Sequence, residues 1–149
     1  MESPSTHPTT PAPAPRIRQV VLDTTDARRL AEFYRQFFDL TYRRGDEPPL
    51  PGEPDPNGSD WLVLRRSGED FGLAFQQVES LPRSTWPEPV VPQQLHLDTT
   101  VPDAGALELQ HERALALGAT LLFDRSDDPQ EPLRVYADPD GHPFCVFVG

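Results

Sequence analysis

The tetrapeptide Leu-Asp-Thr-Thr occurs twice in this chain, at residues 22–25 and 97–100, and each copy closes a short apolar run. After each copy come an acidic residue, a helix-like stretch and then strand-like runs separated by turns. A repeated order of elements reads as one module used twice, because a small unit that cannot bury its own apolar face stacks against a copy of itself. The binding site of such a duplicated sheet falls where the two copies meet.

A chain of 149 residues has room for one compact domain, or for two small modules sharing a core. Residues 1–15 hold five prolines (Pro4, Pro8, Pro11, Pro13 and Pro15) among Ser, Thr and Ala, too little apolar surface to offset ordering entropy. They are predicted to form a disordered tail, with the domain running from 16 to 149. The tail lacks the basic start and apolar centre of a secretory signal. No run approaches the ~20 apolar residues that cross a bilayer. The single Cys145 excludes an internal disulfide and fits a reducing cytoplasm. Net charge is -11, and Glu2 is the only charged residue of the tail, so the acidity belongs to the domain. Such a surface opposes nucleic acid and membrane lipid and favours a cationic ligand, although it also serves plain solubility.

Module one, residues 16–78, starts with a β-branched strand at 16–23. Thr24, Thr25 and Asp26 supply capping groups for a helix whose Leu30, Phe33, Tyr34, Phe37 and Phe38 fall on one side. A second strand is expected at 40–44, and 45–60, with five prolines, reads as a long exposed loop. A hairpin pairs 61–65 with 71–78 around Gly68. A proline-rich linker, 79–92, surrounds Trp86. Module two, 93–149, repeats the order: a strand at 94–99, a helix through Leu107 and Ala114 ending at Gly118, a strand at 119–124, and a final pair at 133–137 and 143–148. Asp138-Pro139-Asp140-Gly141 joins that pair and is a strong turn signal. The fold class is therefore α+β: two tandem βαβββ modules forming a curved, partly open mixed sheet with the helices outside.

Three motifs carry a resemblance: Ala31-Glu32-Phe33-Tyr34 in the first helix, Trp86-Pro87 with Gln93-Gln94-Leu95-His96-Leu97-Asp98, and Ala137-Asp138-Pro139-Asp140-Gly141-His142-Pro143-Phe144. With them the chain from Ile17 to Val148 resembles the glyoxalase, bleomycin-resistance and dioxygenase (vicinal-oxygen-chelate) superfamily, and within it the small bacterial glyoxalase-like domains. The resemblance implies a divalent metal held by the first and last strands of each module, with His or Gln on the first and Glu on the last. Gln19 and His96 match the first-strand positions when counted back from Asp26 and Asp103. Aligning the tetrapeptides instead pairs Gln19 with Gln94, so the register is left open by two residues. At the last-strand positions the pattern breaks, because the expected glutamate falls at Cys145, and 72–75 of module one offer no ligand. A thiol poorly replaces a carboxylate for a hard cation, and two ligands do not complete a zinc or ferrous site.

The ligand-binding candidates are Gln19, Asp23, Trp61, Phe75, Gln77, Trp86, Gln94, His96 and Asp98. Gln76 and Gln77 alternate faces, so one of them looks inward. His96 is the catalytic candidate, as general base or donor to a substrate, with a satisfied strand histidine as the plain alternative. Asp98 either holds that imidazole, pairs with a cationic ligand, or is only solvated. Cys145, in an apolar strand, reads as a small core residue rather than a nucleophile. His142 reads as structural and His111 as a helix-edge residue, and His7 lies in the tail.

Two functional classes follow. The leading one is a metal-free pocket that binds or sequesters a metabolite or drug, with no cofactor. The rival is a divalent-metal-dependent lyase, isomerase or dioxygenase using Gln19 and His96. The open sheet edges lead us to expect a homodimer. A module that only binds a protein partner is the third class.

Overall fold

The computed structural model describes residues 11–149. Most of the proline-rich tail, including His7, lies outside the described residues, and residues 11–18 are exposed and carry no regular structure. Module one contains β1 (Gln19–Thr24), α1 (Ala27–Phe38), β2 (Thr41–Tyr42), β3 (Trp61–Arg65) and β4 (Gly72–Gln77). Module two contains β5 (Leu97–Val101), α2 (Ala104–Ala116), β6 (Thr120–Arg125), β7 (Leu133–Ala137) and β8 (Pro143–Val148). Each module forms its own four-stranded mixed sheet, ordered β1-β4-β3-β2 and β5-β8-β7-β6. In both, the first strand runs parallel to the last and the remaining pairings are antiparallel.

Both helices start alike. Asp26 accepts from the Arg29 N–H and Asp103 from the Ala106 N–H, each satisfying a donor that the first helical turn leaves free. The ends differ. Asp39, at φ 54°, closes α1 in the left-handed region, and Gly118, at φ 107°, does so just beyond α2.

This capping settles the register between the modules. Val78 N–H donates to the Thr24 carbonyl, and Gly149 N–H donates to the Val101 carbonyl, so Thr24 and Val101 are equivalent positions. Gln19 is then the counterpart of His96, Val21 of Asp98, and Ala74 of Cys145. The two Leu-Asp-Thr-Thr copies are thus offset by two residues and do not superpose. The repeat in the backbone is real, but the identical letters do not mark its register.

Several expected elements shift: β1 starts at Gln19 rather than Arg16, and β2 shortens to Thr41–Tyr42. β5 begins at Leu97 rather than Gln94 and runs on to Val101, the residue before Pro102, where extended geometry is favoured. Gln94 and His96 therefore precede the strand, and alternation along it does not set their direction. The 45–60 loop is also less free than expected: Asp46 is buried and accepts from the Val63 N–H, while Arg28 grips Asp55 and the Asp46 carbonyl.

The helix-facing sides of both sheets share one core. Leu22, Leu62, Leu64, Leu73 and Phe75 of sheet one meet Tyr136, Phe144 and Val146 of sheet two around α1. Phe144 touches the rings of Phe33, Tyr34, Phe37, Phe38 and Tyr136, with centroids 5.4–6.5 Å apart. A buried ring of this kind contributes on the order of 1.5–3 kcal/mol. Polar contacts fasten the same seam. The Tyr34 hydroxyl donates to the buried Asp138 carboxylate at 2.8 Å, and His142 Nε2 donates to the Asp23 carbonyl at 2.6 Å. Burial pushes the Asp138 carboxyl above the ordinary aspartate range. Its hydrogen bonds from Tyr34 and the Asp140 and His142 N–H groups, and the nearby His142, act against that rise.

Candidate functional site

The side of each sheet turned away from the helices is where side chains are free to meet a ligand. On sheet two this face is built in rungs, because cross-strand partners point the same way. One rung runs Asp98, Cys145, Val135 and Phe123, and the next runs Phe147, Leu133 and Arg125. The linker brings Trp86 and Gln93 over them, and His96 stands at the entrance to β5. Together these residues and Glu131 enclose a cavity of about 330 Å³.

Its floor is apolar and its walls are charged. His96 Nε2 lies 3.2 Å from Asp98 Oδ1, with both side chains about half exposed. Across the floor Arg125 is held by Glu131 at 2.9 Å and by Asp128 at 3.6 Å. Cys145, 9% exposed, lies between these walls. Burial, reinforced by the negative charges of Asp98 and Glu131, pushes its thiol up to about 11. The sulfur is therefore not activated as a nucleophile.

The first-strand and last-strand positions can now be tested as a metal site. The donors are the Gln19 amide, the His96 imidazole and the Cys145 thiol, with Ala74 in the fourth place. Gln19 lies on sheet one, outside the cavity that His96 lines, although its Oε1 is buried with no hydrogen-bond partner among the described residues. No three His, Cys, Asp or Glu side chains come together as a metal-holding group among the described residues. This donor set does not fit a hard divalent cation.

Of the other predicted residues, Trp86, His96 and Asp98 meet in this cavity. Asp23 and Gln94 line a separate space of about 310 Å³ at the seam, where the linker crosses β1 and the β7–β8 turn. Trp61 shares a rung with Gln76 and Asp23 on the open face of sheet one. Two candidates point the other way. Phe75 is fully buried against Tyr34 in the core. Gln77 bonds the Ala27 N–H and the Thr25 carbonyl, securing the start of α1, so Gln76 is the inward glutamine. His142 serves the seam as expected, and His111 Nδ1 meets the Tyr136 hydroxyl at 2.8 Å. Sequence reasoning missed Gln93, Phe123, Arg125, Glu131, Leu133, Val135 and Phe147. The alternation Leu133, Val135 and Phe123, Arg125 was the available signal for the strand residues among them.

Two βαβββ modules with an open sheet face define the vicinal-oxygen-chelate class of fold. The sequence profile of the glyoxalase-like domain matches residues 19–147, and the chain belongs to that family. No match was found among curated protein sequences. Among solved structures, a glyoxalase/bleomycin resistance protein/dioxygenase family enzyme from Burkholderia phytofirmans PsJN is similar at TM-score 0.64 and 18% identity, over 88% of this chain and 96% of its own. The fosfomycin resistance protein FosX from Mesorhizobium loti gives 0.62 and 17%, over 93% and 94%. TnmS3, an antibiotic binding protein from Streptomyces sp. CB03234, gives 0.53 and 18%, over 89% and 94%. At these identities the likeness speaks for the fold.

Proposed function

We propose that this protein is a glyoxalase-like small-molecule-binding protein whose module-two cavity takes an organic ligand without a metal. The single observation that carries this reading is a buried Cys145 where the family's resemblance calls for a glutamate. A volume near 330 Å³ suits a small metabolite or part of a drug. The lining favours an aromatic cation: Trp86, Phe123 and Phe147 are among its residues, and Asp98 and Glu131 outnumber Arg125. TnmS3, an antibiotic binding protein, puts the same fold to a binding task.

The metal-dependent lyase, isomerase or dioxygenase reading rests on Gln19 and His96 and needs donors from elsewhere. A second copy of the chain is the proposed cover for the open sheet edges, since Leu121 and Phe123 of the outer strand β6 are exposed. No helix among the described residues is long and apolar enough to cross a membrane, and a cytoplasmic location is proposed from the single free cysteine.

A thermal-shift screen of aromatic cations tests the binding reading. A ligand at 100 times its dissociation constant adds about 2.7 kcal/mol, which a tenfold weakening in Asp98→Asn is expected to cut to about 1.4 kcal/mol. Absence of any shift with such cations, where neutral aromatics do shift the transition, defeats the charge argument.

A further inference from the structure

The two modules meet at two seams that the repeat makes equivalent, and the seams are closed by different chemistry. At the first, the β7–β8 turn seals the free edge of β1. His142 donates to the Asp23 carbonyl, and Asp140 accepts from Thr24 and Arg29. At the second, the β3–β4 turn approaches the free edge of β5. Counting from the ends of β3 and β7, Arg66 stands where Asp138 stands. Phe71, the residue before β4, stands where His142 stands, and a phenyl ring cannot donate to a strand-edge carbonyl.

The second seam remains open as a cleft of about 540 Å³. Four consecutive β5 residues, 98–101, line it. Their side chains alternate between faces, so the cleft runs along the strand's edge. β5 is an outer strand, and its edge N–H and C=O groups on this side face no strand.

Charge points to the occupant. Arg113 donates to Gln110 and to the Gln36 carbonyl and lies over the Phe37 ring, and among the described residues neither it nor Arg66 is paired with a carboxylate. Asp98 turns its carboxylate to His96 on the sheet's open face, which leaves Asp39 as the only other acid at the cleft. Two guanidinium groups stand against Asp39 and the His96-engaged Asp98, so the lining carries no net negative charge on a chain of net charge -11.

We propose that this cleft binds an aromatic or aliphatic anion. Its carboxylate or phosphate group is held by Arg66 and Arg113, and its apolar body rests on Phe38 and Val101. Such a ligand supplies to the second seam the acidic groups that Asp138 and Asp140 supply to the first. The site shares only Asp98 with the module-two cavity, and this inference stands whether or not that cavity binds a cation.

Calorimetric titration of the full chain with benzoate, phenyl phosphate and the neutral benzyl alcohol tests it. One equivalent of at least one anion is expected to bind, with the tighter of the two identifying the acidic group, and benzyl alcohol is expected to give no saturable heat. Arg66→Gln, an exposed position, should weaken the anion about tenfold or more, since a charged hydrogen bond is lost. Phe123→Ala, in the other cavity, should leave anion affinity unchanged. Failure of both anions to bind, equal affinity in Arg66→Gln, or loss of binding in Phe123→Ala overturns the proposal.

Discussion

Module one and module two follow the same chain path with different linings. At the middle rung of the open face, module one has Val21, Ala74 and Val63, where module two has Asp98, Cys145 and Val135. The helices differ in the same sense. α1 buries Ala27, Leu30, Ala31, Phe33, Tyr34 and Phe37, whereas α2 buries only Leu107 and Ala114. Duplication has thus separated two tasks: module one supplies most of the shared core, and module two presents a polar-walled cavity. A family position that resemblance assigns to a metal ligand becomes, in this chain, part of an apolar floor.

The comparison breaks most visibly in the core. Phe144→Ala removes the ring that touches five aromatic neighbours from both modules, and should cost about 3–5 kcal/mol in denaturant unfolding. Leu73→Ala, at the equivalent position of module one, should cost nearer ~2 kcal/mol, because a smaller side chain with no ring contacts is removed. Equal losses would show that the aromatic seam is not the shared core described above.

The next largest effect concerns Cys145. With its thiol near 11, alkylation by iodoacetamide at pH 8 should be on the order of a hundredfold slower than that of a free thiol. The rate should keep rising about tenfold per pH unit up to pH 10. A plateau near pH 9 would contradict the dry, acid-flanked floor.

Asp98→Asn should weaken an aromatic cation about tenfold in calorimetry, whereas Asp23→Asn, in the seam space, should leave it unchanged. Equal effects would merge the two spaces into one site. The smallest effect belongs to the seam carboxyl. The Asp138 value is raised on folding, so the stability it contributes is full below the unfolded value and falls as pH rises through the folded one. The stability difference between the wild-type chain and Asp138→Asn should therefore shrink from pH 3 to pH 7. A difference that grows over this range would place the carboxyl below its ordinary range instead.

Much of this architecture was legible because local signals agreed with the global fold. β3, β7 and β8 are bounded by prolines, glycines and turn residues, and their expected limits match the structure. β5 was misplaced because Gln94, Leu95 and His96 carry an alternation that tertiary pairing does not use, while Val101 extends up to Pro102. Of the two registers left open, counting back from Asp26 and Asp103 was right and aligning the repeated letters was two residues off, because helix caps and parallel pairing fix the register. Of the site, His96 and Asp98 stood out through the resemblance. Arg125 did not, since β6 is an irregular outer strand with a bulge between Leu121 and Phe123, and Glu131 did not, since it lies in the β6–β7 loop where no period applies. Phe75 and Gln77 were assigned to the wrong face because parity alone cannot say which side of a strand the helix will cover.

The most direct test of a metal-free cavity is a calorimetric titration with benzyltrimethylammonium, run on chelator-dialysed protein and again with added Mn²⁺ or Zn²⁺. The same dissociation constant in all three conditions, with weaker binding in Asp98→Asn, is the predicted result. Binding that appears only with metal, together with one equivalent of metal retained by the wild-type chain and lost in His96→Ala, would contradict it.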